Sequence, residues 1–72
     1  MEPQADWMEI YHNGWSTNEE WDWTTIWEDM AGQFWVFKTA YNVYTGQSDV
    51  MTQVNELTAI QEMVDAEEHY SE

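Results

Sequence analysis

The sequence predicts an all-α protein, a small antiparallel helical hairpin preceded by a short helix, in a single acidic domain covering residues 1–72. Two observations support this prediction. Large apolar residues recur at steps of three and four between residues 19 and 45, and a second run recurs at similar steps between residues 50 and 64, which is the period of a helix face. The first run contains Trp23, Ile26, Trp27, Met30, Phe34, Phe37, Tyr41 and Tyr44.

The first predicted helix covers Ala5–His12. Trp7, Ile10 and Tyr11 share one face of it, and Pro3 suits the entry to its first turn. The Asn-Gly pair at residues 13 and 14 predicts its end, since Gly is favoured just past a helix C-terminus.

The second predicted helix covers residues 18–45. Two pairs, Ser16 with Glu19 and Thr17 with Glu20, have the spacing of a capping box, in which a hydroxyl and a carboxylate satisfy free N–H groups at a helix N-terminus. Gly32 lies mid-helix, where Gly costs about 1 kcal/mol relative to Ala. Two outcomes are open there: the helix continues through Gly32, or it kinks or breaks.

The third predicted helix covers residues 48–68, after a turn at Gly46. Ser48 is a favourable N-cap, and Asp49 suits the positive end of the helix dipole. The chain beyond residue 66 is expected to fray, because acids at a helix C-terminus oppose the dipole. The apolar stripe of this helix consists of Val50, Val54, Leu57, Ile60 and Val64.

An α+β fold is the alternative. Aromatic residues favour strands by propensity, so residues 33–45 could instead form a β-hairpin. The helical interpretation is preferred because neither face of a strand at residues 34–42 alternates cleanly between apolar and polar residues.

The charge balance excludes several classes of function. Lys38 is the one basic residue against fifteen acids, giving a formal net charge of −14. Such a chain lacks the cations that bind nucleic-acid phosphates, and anionic membranes repel it. No segment approaches the ~20 apolar residues of a membrane-spanning helix, and the N-terminus lacks a signal-peptide pattern. A cytoplasmic location is expected, in the host cytoplasm if a phage encodes the protein.

The sequence does not predict an enzyme, a cofactor or a metal site. It has no Cys and no Gly-rich phosphate loop. Glu9 and His12 form a Glu-x-x-His pair of the kind that occurs twice in di-iron bundles, and Asp65 and His69 lie one helical turn apart. One pair per chain is weak support for metal binding, so these residues are expected to be solvated.

Acids and aromatic residues together predict a small acidic inhibitor or antagonist that binds a protein. A body with this charge can imitate nucleic acid and occupy the basic site of a DNA- or RNA-binding protein. In composition alone, the chain resembles the acidic DNA mimics of phages and mobile elements. Trp7, Trp15, Trp21 and Trp35 do not all fit the predicted apolar stripe, and at least one of them is a candidate for a partner contact. Trp21 and Trp35 are the two that point toward polar faces of the predicted helix. The predicted partner-binding residues are Glu19, Glu20, Asp22, Glu28, Asp29, Glu56, Glu62, Asp65, Trp21 and Trp35.

Two alternatives stay open at this point. The chain could be a structural module that self-associates through its helical stripes, including as a homodimer; Leu57→Asp or Phe37→Asp would then give monomers or unfold it. It could instead be an adaptor that anchors a host enzyme through exposed Trp residues, without imitating nucleic acid.

Overall fold

The computed structural model describes residues 2–71, which form a four-stranded antiparallel sheet and one C-terminal helix. The strands follow one another across the sheet in chain order, so each is hydrogen-bonded to its sequence neighbour. The helix packs across one face, mainly against β1, β2 and β3. The elements are β1 (Met8–Ser16), β2 (Trp21–Glu28), β3 (Phe34–Asn42), β4 (Gly46–Val54) and α1 (Glu56–Tyr70).

The prediction of an all-α helical hairpin is wrong. The segment predicted as helix 18–45 contains β2 and β3, and residues 48–54 of the segment predicted as helix 48–68 belong to β4. The predicted N-terminal helix is also wrong, because residues 8–12 begin β1. The α+β alternative was not correct in the form given: residues 34–42 are one strand paired on both sides, and the next turn lies at residues 43–45.

The helical period arose because both faces of the sheet carry large apolar residues. Ile26 and Phe34 lie on the helix-covered face, whereas Trp23 and Phe37 lie on the opposite face, as the cross-strand pairing shows. Because successive residues of a strand point to alternate faces, two residues three apart in the sequence lie on opposite faces. Met30 and Tyr44, which fit the same stripe, lie in turns and are largely exposed.

Each connection between strands is closed by a side-chain oxygen that accepts backbone N–H groups. Thr17 Oγ1 accepts from the amides of Glu19 and Glu20 at 3.2 and 3.1 Å. Asn42 Oδ1 accepts from the amides of Tyr44 and Thr45, each at 2.9 Å, before Gly46 at φ +75°. Thr17 makes the same bond that it would make as a helix N-cap, so the capping signal identified a turn.

The turn between β2 and β3 is organised by one carboxylate. Asp29 Oδ1 accepts from the amides of Ala31 and Gln33, each at 2.9 Å, and Asp29 Oδ2 accepts from Trp35 Nε1 at 3.0 Å. The Trp35 bond is the largest cause that holds the pKa of Asp29 below its usual value, followed by the bond from Gln33. Gly32, at φ +80°, completes this turn, so neither outcome predicted for a helix at Gly32 applies.

The core between sheet and helix is small. It consists of Ile26, Val36 and Ala59, with Ala66 also buried further along α1. Alanines at the interface let α1 approach the sheet closely, while its larger aliphatic residues face away. Leu57 is 80% exposed and therefore does not belong to a core stripe. Packing around this cluster is completed by Tyr11, Phe34, Val54 and Met63.

Hydrogen bonds tie the far end of α1 to the sheet. The hydroxyl of Tyr11 donates to Glu67 Oε2 at 2.5 Å, and the hydroxyl of Tyr70 donates to Asp22 Oδ1 at 2.6 Å. Asn55 caps the other end by accepting from the amide of Thr58 at 2.8 Å. The helix therefore begins later than predicted, and its C-terminal turn is anchored where fraying was expected. Within residues 2–71, no helix is long and apolar enough to span a membrane.

The Tyr70 anchor predicts a loss of stability at alkaline pH. Burial, and then the bond to Asp22, raise the pKa of Tyr70 from 10.0 to about 12. A raised pKa means that the folded state holds the proton more tightly, so this stabilisation is complete below pH 10 and disappears as pH rises through 12. We expect the melting temperature to fall more steeply over this range in the wild type than in Tyr70→Phe. Parallel pH profiles for the two proteins would contradict this assignment.

Candidate protein-binding surface

The sheet face opposite α1 is rich in aromatic side chains and has no element packed over it among the described residues. Alternation along β2 and β3 places every second residue there, and Trp7 joins them from just before β1. We call this surface the open sheet face. Its aromatic residues are Trp7, Trp21, Trp23, Trp27, Trp35, Phe37 and Tyr41.

The aromatic rings of the open sheet face cover one another in part. Trp7 stacks on Trp35 with centroids 4.9 Å apart, and Trp21 stacks on Tyr41 at 4.8 Å. Both pairs are near the offset geometry that aromatic rings prefer. Mutual stacking explains why these side chains are half-buried although no helix covers them.

Several indole N–H groups on this face are satisfied within the sheet. Trp27 Nε1 donates to Thr25 Oγ1 at 2.8 Å, and Trp21 Nε1 donates to Thr39 Oγ1 at 3.4 Å. Together with the bond from Trp35 to Asp29, these contacts fix the orientation of three indole rings. The orientations of these rings are therefore fixed before a partner binds, so little side-chain entropy would be lost on binding.

The charged residues around the open sheet face are acidic. Glu9 lies opposite Trp27 on β1, Asp49 lies opposite Thr39 on β4, and Asp29 lies at the turn beside Trp35. Bonds from Thr39 Oγ1 (2.6 Å) and from Gln47 hold the pKa of Asp49 below its usual value. Lys38 lies on the other face, where its Nζ pairs with Glu62 at 3.0 Å.

A second feature is a cleft of about 420 Å³ on the helix side of the sheet. Its floor is formed by β2, β3 and β4, and its wall by one side of α1. Asp22, Glu62 and Asp65 contribute carboxylates to it, whereas Lys38 is its one Lys or Arg side chain. The cleft therefore favours cationic groups.

The structure separates the predicted partner-binding residues into several groups. Asp22, Glu62 and Asp65 line the cleft, and Trp21 and Trp35 lie on the open sheet face. Glu19 and Glu20 lie in the exposed β1–β2 turn, while Glu28 ends β2 and Glu56 begins α1. The carboxylate of Asp29 accepts the backbone hydrogen bonds of its own turn. The acids do not face one another across a helical hairpin, as the sequence interpretation required.

Five other contact candidates are absent from the predicted set. Trp23, Trp27, Phe37 and Tyr41 were assigned to a helical core, and Trp7 was considered for a partner contact but not selected, yet all five lie on the open sheet face. The signal that could have identified part of this face is the spacing of Trp21, Trp23 and Trp27, which lie even numbers of positions apart and so share one face of a strand.

The residues considered for metal binding form no cluster. His12 Nδ1 lies 3.4 Å from Glu9 Oε1 on the exposed surface of β1, and Asp65 and His69 line the cleft instead. Across residues 2–71, no group of three or more His, Cys, Asp or Glu side chains has an arrangement that could hold a metal ion.

Comparisons with known proteins identified no relative of this chain. No protein-family model, no curated protein and no solved structure matches this chain. Any assignment of function therefore depends on the chemistry of the two surfaces described above.

Proposed function

We propose that this protein is a small acidic antagonist that binds a cationic protein, with the open sheet face as its main contact. The observation that carries the proposal is an uncovered aromatic face flanked by carboxylates, in a chain whose single Lys lies on the other side of the sheet. The partner is inferred to be a DNA- or RNA-binding protein, because such proteins present the cations that match this surface.

An aromatic sheet resembles in chemistry the surfaces on which single-stranded nucleic acids stack their bases. Those surfaces also need cations to bind phosphates. Here the neighbouring charges are Glu9, Asp29 and Asp49, which repel phosphates. The same rings attract a guanidinium group, since a cation over a Trp face is stabilised by the ring quadrupole and carboxylates pair with it directly.

Arginine is preferred to lysine as the partner's main contact residue. Its planar guanidinium stacks on aromatic rings and forms bidentate bonds with carboxylates, whereas a lysine ammonium is a compact and strongly hydrated charge. The proposal therefore concerns an arginine-rich surface or segment. Occupying it would prevent a nucleic acid from binding there.

The proposal is tested by titrating the protein with arginine-rich and lysine-rich peptides of equal length while following Trp fluorescence. We expect tighter binding of the arginine peptide and a steep loss of affinity with added salt. Trp21→Thr should weaken binding about tenfold, the effect of losing one anchor residue of an interface. Trp15→Thr is the matched control, because Trp15 pairs with Asp22 on the helix side of the sheet.

A second variant shows whether weaker binding by the first comes from the lost contact or from a loss of structure. Tyr41→Thr removes the other ring of the stacked pair, and Thr favours strands. Each variant is compared only after its melting curve shows a folded protein. Equal affinities for Trp21→Thr, Tyr41→Thr and Trp15→Thr would exclude the open sheet face as the contact. Binding that is insensitive to salt would instead support an adaptor anchored by Trp residues alone.

A further inference from the structure

The two edges of the sheet differ in how open they are to another strand. Along β1 the register shifts between Glu9 and Tyr11, and Gly14 has φ +147°. Such irregularities disfavour pairing with an incoming strand. β4 pairs with β3 in an unbroken register from Gly46 to Val54 and contains no Pro or Lys. It therefore presents a regular row of backbone groups at the sheet edge.

The helix leaves the β4 side of the sheet uncovered. Because α1 packs mainly on β1, β2 and β3, Val50 of β4 is 54% exposed although it lies on the helix side. The cleft of about 420 Å³ lies between Val50 and the side of α1 that carries Glu62 and Asp65. A strand added to β4 would extend the floor of this cleft.

Alternation along an added strand would carry its side chains to two acidic surroundings. Residues on one side would face the cleft, with Asp22, Glu62 and Asp65. Residues on the other side would lie beside Asp49 at the border of the open sheet face. Cationic side chains would thus be attracted on both sides of the same backbone.

We propose that the edge of β4 binds an extended, cationic segment of a partner protein by strand addition. Main-chain hydrogen bonds to β4 would hold the segment, and carboxylates of the cleft would select its Lys or Arg side chains. Charge complementarity excludes a second copy as the favoured occupant, because each copy has a formal charge of −14 and β4 offers no cation. This inference rests on the proposed function only for the positive charge of the partner.

The test uses isotope-labelled protein and a peptide that alternates Lys with Val, with amide exchange followed residue by residue. We expect slower exchange at alternate amides between residues 46 and 54, and no change along β1. A peptide of the same length and the same number of Lys residues, with a central Pro-Gly that prevents a continuous strand, should give no such protection. Protection confined to β1 would overturn the proposal.

Two variants with the same change in charge distinguish binding through the cleft carboxylates from attraction by the net charge of the protein. Asp65→Lys alters the cleft, whereas Glu68→Lys alters an exposed residue of α1 that does not line it. We expect Asp65→Lys to weaken binding of the alternating peptide about fivefold, which corresponds to about 1 kcal/mol, and Glu68→Lys to weaken it clearly less. Equal losses would show attraction by net charge alone and overturn the proposal.

The outcomes also separate this inference from the proposed function. Changes in amide exchange that are confined to the open sheet face would refute strand addition and leave the aromatic contact supported. Protection of β4 without any effect of Trp21→Thr would support strand addition and refute the aromatic contact. Protection of β4 that rises with protein concentration in the absence of peptide would identify a second copy as the occupant and refute the cationic segment.

Discussion

Replacing Gly14 by alanine is expected to destabilise the fold strongly. Gly14 has φ +147°, a conformation that residues with a Cβ rarely adopt. An added Cβ would also collide with the carbonyl oxygen of Asp22, and would lie 2.8 Å from Trp23 Cα and 2.9 Å from Trp23 Cδ2. Two of these three atoms are backbone, so no rotation of a side chain relieves the collision.

Gly46→Ala is the matched control for this substitution. Gly46 also has a positive φ, of +75°, but no atom lies within 4 Å of an added Cβ. Its substitution should cost about 1 kcal/mol, for backbone strain alone. We expect Gly14→Ala to cost about 3 kcal/mol or more, against a total of about 4–11 kcal/mol for a domain of this length. Urea unfolding measures both, and equal midpoints would contradict the predicted collision.

Replacing Ile26 by alanine is expected to have the second largest effect. Ile26 is fully buried (0% exposed) at the centre of the core, between Val36 and Ala59. Truncating a buried Ile typically costs 2–5 kcal/mol, from the lost transfer of methylene groups and the cavity left behind. With few other fully buried side chains to compensate, the loss is expected to be about 3 kcal/mol or more.

Leu57→Ala provides the comparison for Ile26→Ala. Both changes shorten an aliphatic side chain, but Leu57 is 80% exposed on the outer side of α1. Its truncation should change the free energy of unfolding by less than about 0.5 kcal/mol. Because Leu57 is exposed, Leu57→Asp is not expected to unfold the chain. Thermal unfolding of the two alanine variants tests the ranking, and a larger effect at Leu57 would show that the core is wrongly placed.

The sequence predicted some boundaries of this fold correctly in position, although it assigned them to the wrong elements. Thr17 lies in the turn between β1 and β2, and Gly46 is the first residue of β4, directly after a turn. Asn13 and Gly14, which also predict the end of an element, lie within β1 instead. The main error came from the stretch between Thr17 and Gly46. Large apolar residues on both faces of the sheet formed by β2 and β3 produced steps of three and four, and tertiary pairing overrode that period.

The candidate surface was only partly predictable, for a related reason. Trp21 and Trp35 were selected because they did not fit a helical stripe, and they do lie on the open sheet face. Trp27 and Tyr41 were assigned to a core because they did fit it. Which aromatic residues share a face depends on strand register, and register is fixed by cross-strand pairs that a linear pattern does not contain.

The sequential order of the strands has a consequence for how the chain loses entropy as it folds. Each hairpin closes over a short connection, whereas the bond from Tyr11 to Glu67 spans 56 residues. Closing that long loop costs about 2 kcal/mol more than closing a hairpin, since each doubling of loop length adds about 0.6 kcal/mol. The attachment of α1 to β1 therefore has the largest entropic cost of loop closure. We expect this contact to form last during folding and to open first.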